Sequence, residues 1–296
     1  FVQVDIKQPN VSDNLNCGNI SSAVGPFAID EGLVPAVEPV TTVRIYNENT
    51  KKIIESHVRV SNGKAEVYGD AEIDGVPGTG SPIDLYFDHP GGAATGKTFP
   101  TGKRMEILDI PGYGPIAATI ADISNAAVFV RAADVGMSGV ELMELNENKE
   151  IMEHLERIRC IAAEKLGFVE HWEDARTKCT ASPKIGILSA PQDYTGIGGK
   201  KINAQDMDIC CRMISLGVMH KAYPMTYAIG TGAAAMLEGT IASEMAHLTH
   251  GSDQVVIGHA SGCTVVKVCM NGDEVEKAGI IRTARRIMDG HVYIRR

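Results

Sequence analysis

Between residues 40 and 68 extended runs alternate with tight turns, and this stretch constrains the fold more than any other. Residues 40–46 lead into Asn47-Glu48-Asn49, residues 53–60 lead into Asn62-Gly63, and residues 65–68 follow. Asn-Gly between two extended runs predicts a tight hairpin, because the central residues of the favoured two-residue turn need positive φ. An antiparallel unit is therefore expected here, and a purely helical bundle is excluded. Further strands are predicted at 83–87, 105–108, 117–123, 128–131, 184–188, 255–257 and 264–270. Helical periodicity is read at 151–166, stopped by Gly167, and at 204–219 and 233–248. A fourth helix is read from Ile20, Ala23, Val24, Phe27 and Ala28, which share one apolar face; Pro26 is expected to kink or end it. The mixture points to an α+β or α/β protein.

With 296 residues, 44% of them hydrophobic and 22% charged, the chain is a folded protein near the practical limit for one core. Two domains are the expected solution. A net charge of −9 without a basic stripe argues against nucleic-acid binding. The most apolar stretches are broken by Asp122, Arg131 or Glu238, short of the ~18 residues a membrane span needs. Seven cysteines without a CxxC pair read as reduced thiols in a cytoplasmic protein. The first residue is Phe1, already inside the alternating run Phe-Val-Gln-Val-Asp-Ile, so the chain reads as truncated upstream.

Residues 91–98, Gly-Gly-Ala-Ala-Thr-Gly-Lys-Thr, match a phosphate-binding P-loop, and Asp109-Ile110-Pro111-Gly112 resembles its acidic companion. A P-loop needs a helix starting at the Lys-Thr pair, and here Pro100 and Gly102 follow at once. Nucleotide binding is therefore disfavoured. The alternatives are a plain loop or a backbone nest for a smaller anion.

Asn16-Cys17-Gly18-Asn19 places a thiol at the start of the first apolar helix, where free N–H groups favour a thiolate and attract carboxylates. Buried structural packing is the ordinary fate of a free cysteine, but the polar and glycine neighbours favour a functional role. Ile229-Gly230-Thr231-Gly232 reads as a second helix start of the same layout, with Ile229 where the thiol would be.

These two starts, with Ile73-Asp74-Gly75-Val76-Pro77-Gly78-Thr79, Thr95-Gly96-Lys97, Pro100-Thr101-Gly102, Gly258-His259-Ala260-Ser261-Gly262 and Arg282-Thr283-Ala284-Arg285-Arg286, carry a resemblance that spans the chain. Together they resemble the family of 2-methylaconitate cis-trans isomerase, 3-methylitaconate Δ-isomerase, aconitate isomerases and 4-oxalomesaconate tautomerase. The resemblance implies the diaminopimelate-epimerase-like α+β fold: two similar domains, each a mixed sheet around a central helix, with the site in the cleft between them. Residues 1–78 plus 280–296 would form the first domain and 79–279 the second. Epimerases of this fold use one cysteine per domain, and Ile229 at the second position argues against that chemistry. Asn125 resembles the substrate-binding Asn of the epimerases' Asn-Pro-His motif, with the Pro and His replaced. The family also carries an N-terminal segment with a lysine that works with the cysteine; no residue here matches it.

The reading that results is a cofactor-free isomerase moving a proton across an allylic system in a small unsaturated di- or tricarboxylate. Cys17 is the expected acid or base. Asn16, Gly18, Asn19, Asn125, Thr231, Gly232, His259, Ser261 and Gly262 are the expected substrate-binding residues, with backbone N–H groups as carboxylate clamps. No metal or dinucleotide fingerprint is present; the expected partner is the carboxylate, with a homo-oligomer left open. An amino-acid epimerase, a P-loop-type regulator and a non-catalytic carboxylate binder are the competing readings. His247 and His250 lack a third ligand at metal-binding spacing, Cys210-Cys211 reads as core, and Cys263 is a weaker cleft candidate. Arg282, Arg285 and Arg286 read either as charge for a polyanion or as a solvated C-terminal strand.

Overall fold

A computed structural model describes residues 1–4, 9, 11–13, 16–249 and 253–294. Eleven strands run in order through one long sheet: β1 (Val40–Asn47), β2 (Lys52–Ser61), β3 (Ile83–Asp88), β4 (Glu106–Ile110), β5 (Gly114–Ile123), β6 (Asn125–Arg131), β7 (Lys184–Ser189), β8 (Ile209–Ser215), β9 (Gln254–His259), β10 (Gly262–Asn271) and β11 (Glu274–Arg282). Their spatial order is β1-β2-β3-β11-β10-β9-β8-β7-β6-β5-β4, and two short strands, Lys64–Ala65 and Val218–Met219, pair with β2 and β8. Neighbours are antiparallel except β6–β7 and β8–β9. The β1–β2 hairpin has the expected form, and Asn62 and Gly63 both take positive φ, 52° and 70°.

The helices are α1 (Gly18–Asp30), α2 (Lys149–Lys165), α3 (Ala175–Lys178), α4 (Met225–Ala235) and α5 (Ile241–Met245). α4 is buried along its whole length, its small residues allowing five strands, β5, β6, β9, β10 and β11, to close around it. A Cβ at Gly230 would stand 2.8 Å from the Ile123 carbonyl oxygen, so helix and strand approach to a distance only glycine permits. α1 lies on β1 and β2 in the same way, with Gly25 against Ser56. α2 covers the opposite face of β4, β6 and β7. None of the described helices is long and apolar enough to cross a membrane.

Three helical expectations need correction. Residues 204–219 are mainly strand: β8 is buried on both faces, so its near-continuous apolar run carries no period that separates it from a helix. The helix read at 233–248 starts earlier, at Met225 behind Pro224, and ends at Ala235 before the short α5. On α1, Pro26 does not end the helix. Ile20, Val24 and Phe27 are exposed, while Gly18, Ser21, Ser22, Gly25, Ala28 and Ile29 form the buried face. Contact with β2 demands small residues, and the apolar stripe points outward.

Candidate active site

The start of α1 is held by two asparagines. The Asn16 N–H donates to Asn125 Oδ1 (3.1 Å), and Asn125 Nδ2 donates back to the Asn16 carbonyl (3.0 Å) and across to Thr226 Oγ1 (2.8 Å). Asn47 Nδ2 donates to Asn16 Oδ1 at 2.9 Å. Asn125 thus ties the α1 start to the first turn of α4, and both its amide hydrogens are already engaged. Cys17 is the N-cap, half-buried, with extended backbone; its carbonyl accepts from the Ser21 N–H at 3.0 Å. No side chain caps α1 or α4, and neither has an acidic residue in its first turn. Two positive helix ends are therefore left uncompensated. They meet directly, since a Cβ at Gly18 would stand 2.4 Å from Met225 Sδ.

Both helix starts open on a cleft of about 500 Å³, a volume suited to a small molecule. Asn16, Cys17, Gly18, Asn19, Asn125 and His259 line it, as expected. Thr231, Gly232, Ser261 and Gly262 do not line it. Thr231 and Gly232 lie inside α4, where Thr231 Oγ1 donates to the Tyr227 carbonyl (2.8 Å) and Gly232 packs on Val266. Their N–H groups belong to the helix ladder and cannot clamp a ligand. The second helix start is Pro224-Met225-Thr226, so the position facing Cys17 carries no thiol, and Ile229 is core. The Ser261 N–H is engaged by His259 Nδ1 at 3.2 Å, and Gly262, at φ +147°, leaves space for the Asp74 carboxylate.

His259 is almost fully buried, and desolvation pushes it down to about 4. Because Nδ1 accepts from Ser261, the proton sits on Nε2 and donates to Thr264 Oγ1 at 3.0 Å. The ring is a neutral fixture of the cleft wall. Asp74 pairs with Lys200 and accepts the Cys263 N–H at 2.7 Å, while desolvation of the half-buried Cys263 thiol, with the Asp74 charge beside it, pushes it up to about 11.

Sequence reading missed Lys184, His220, Tyr223, Thr226 and Tyr227, all on the cleft wall. Lys184 opens an otherwise apolar strand just after Pro183, a faint signal in a chain with many lysines. Arg282 also lines the cleft; burial lowers it to about 10, and its Nη1 donates to the Ile281 carbonyl at 2.8 Å. Of its two sequence readings, a solvated strand residue and a charge for a polyanion, the second has the position it requires. Arg286 instead pairs with Glu31, away from the cleft. His250 lies outside the described residues, and among those described no three His, Cys, Asp or Glu groups gather as a metal site.

The P-loop-like stretch forms turns, with no helix at Lys97. Its N–H groups at Ala94 (2.8 Å) and Thr95 (2.7 Å), with Thr95 Oγ1 (2.9 Å), hold the Asp122 carboxylate. It is a nest, and its anion is the chain's own.

The sheet wrapped on a central helix, with two helix starts facing one cleft, is the diaminopimelate-epimerase-like fold, and the chain is an isomerase. A hydroxyproline epimerase from Agrobacterium vitis shares the fold at a TM-score of 0.51 and 11% identity, over 96% of this chain and 68% of its own. The chain belongs to the PrpF protein family, which it matches over residues 1–295. It is 43% identical to the 3-methylitaconate isomerase of Eubacterium barkeri, over 99% of this chain and 78% of that protein. The 2-methyl-aconitate isomerase of Shewanella oneidensis is 34% identical over 99% and 77%. The crystal structure of a methylitaconate Δ-isomerase superposes with a TM-score of 0.89 at 43% identity, covering 99% of this chain and 76% of that one.

Proposed function

We propose that this isomerase moves a proton across an allylic system, or interconverts cis and trans forms, in a small unsaturated di- or tricarboxylate of the methylaconitate, methylitaconate, aconitate or oxalomesaconate type. The observation that carries the reading is Cys17 at an uncapped helix start, facing a second uncapped start that has no thiol. One thiol suits a shift in which a proton leaves one carbon and returns to another; the two-thiol exchange of an epimerase has no second partner here.

In the reaction a base removes the proton next to the double bond, and the electron pair spreads through the alkene into a carboxylate as a dienolate. N–H groups at Gly18, Asn19, Met225 and Thr226 are placed to take up that growing charge. The acid then returns a proton at the far carbon, and the double bond moves. Cys17 performs one of these transfers. Asn16 and Asn125 hold it in place, and His259 shapes the wall. Proton transfer alone completes this chemistry, so the enzyme is proposed to work without metal or organic cofactor, and exhaustive dialysis against a chelator should leave turnover unchanged. We further propose that residues 1–78 with 280–296 form one domain and residues 79–279 the other, with the cleft between them. Seven free thiols fit a reducing cytoplasm.

Each of the four substrate types, and proline and hydroxyproline as controls, should be incubated with the protein and followed by proton NMR. Migration or geometric inversion of a double bond in at least one carboxylate is expected. Epimerisation of the amino acids with no alkene product would contradict the proposal.

A further inference from the structure

We propose that Lys184 is a substrate-binding residue, the half-buried counter-ion that takes one carboxylate of the substrate in the cleft beside Cys17. This rests on the proposed function for the identity of the ligand. Lys184, the first residue of β7, lines the same cleft as Cys17. Its ammonium has three donors. One goes to the Ala181 carbonyl at 2.9 Å, and the group lies 4.7 Å from the centre of the Tyr227 ring. Among the described residues no carboxylate pairs with it. A cation partly withdrawn from water without an anion is poorly stabilised, and a carboxylate entering the cleft supplies what the protein leaves out.

The groups around Lys184 leave that role open. Arg159 from α2 is cationic but already paired with Glu156 at 2.7 Å. His220, ahead of α4, is pushed down by burial and by Lys184 itself, and so is neutral. Tyr227 of α4 is pushed far up by burial and stays protonated. From β6 come Ala127, directly opposite Lys184, and Asn125, both uncharged. Cys17 at the α1 start favours the charged lysine, and the bound carboxylate would do so more strongly.

Burial, with a smaller push from Arg159, lowers Lys184 to about 8 in the free protein. The sign follows. The ammonium form binds the carboxylate, so affinity is flat below pH 8 and falls about tenfold per unit above it, until the raised value of the complex is reached. In that window each binding event takes up a proton.

The test is calorimetric titration with tricarballylate, a saturated tricarboxylate that cannot isomerise, at pH 7 and pH 9 in buffers of different ionisation enthalpy. Wild type and Cys17→Ser should take up close to one proton at pH 9 and almost none at pH 7, as order-of-unity expectations. Lys184→Met should show no uptake and bind about 10- to 100-fold more weakly, the usual worth of a charge-assisted hydrogen bond. Lys184→Arg keeps the charge but does not titrate, so it should hold more affinity than Lys184→Met and also show no uptake. Uptake and affinity in either variant equal to wild type, or no uptake by wild type at pH 9, would overturn the assignment. The two readings fail separately. Binding with proton uptake by a protein that isomerises none of the substrates contradicts the function and keeps the counter-ion. Unchanged turnover and KM in Lys184→Met does the reverse.

Discussion

His259 was legible as part of Gly258-His259-Ala260-Ser261-Gly262, but its role was not, because spacing does not reveal what each ring nitrogen meets. With Nδ1 accepting from Ser261 and Nε2 donating to Thr264, the imidazole has no place for a second proton without losing a bond. Desolvation holds it at about 4 in the folded state, against about 6.5 unfolded. The unfolded chain therefore binds this proton first, and stability is lost as pH falls from 6.5 toward 4, by up to about 3 kcal/mol. Urea unfolding of wild type and His259→Gln at pH 7 and pH 5 checks this. The pH-dependent loss should shrink in the variant; an identical loss in both would place the acid sensitivity elsewhere. Asn125 teaches the same lesson: the asparagine was found from its motif, yet its amide braces the Cys17 loop against α4.

At the scale of elements, α1 and the hairpin that β2 forms with Lys64–Ala65 could be read because their signals are local: a polar helix start, an Asn-Gly turn. α4 could not be placed, since Gly230 and Gly232 read as the start of a helix until the strands around them are known. In the fold they are contact points, and Gly230→Ala would drive a Cβ to 2.8 Å from the backbone oxygen of Ile123, an atom that cannot rotate away. Overpacking of this kind costs about 1–3 kcal/mol. A denaturation midpoint lowered accordingly is expected, with the slope unchanged; wild-type stability would mean that α4 has room to shift. β8 escaped for the complementary reason, being buried on both faces and so without alternation. The nest at Ala94 and Thr95 was legible as an anion holder, but Asp122 stands 27 residues after Thr95, and only the antiparallel return of β5 brings it there.

For the whole molecule, a resemblance spread over many short motifs specified the fold and the cleft and included Arg282, while Lys184, the other cation on the cleft wall, belongs to none of those motifs. A chain with net charge −9 thus carries a cleft lined by two cations and two open helix ends. That arrangement suits a polyanion, and the lone thiol within it suits proton movement. The claim is tested most directly by running the substrate panel in D₂O with wild type and Cys17→Ser. A thiol exchanges with solvent between turnovers, so wild type should place deuterium at the carbon that receives the proton, and Cys17→Ser should lose about 10²–10⁴-fold in kcat with little change in KM. Wild-type turnover and deuterium labelling in Cys17→Ser would contradict the account and leave Cys17 as part of the cleft wall.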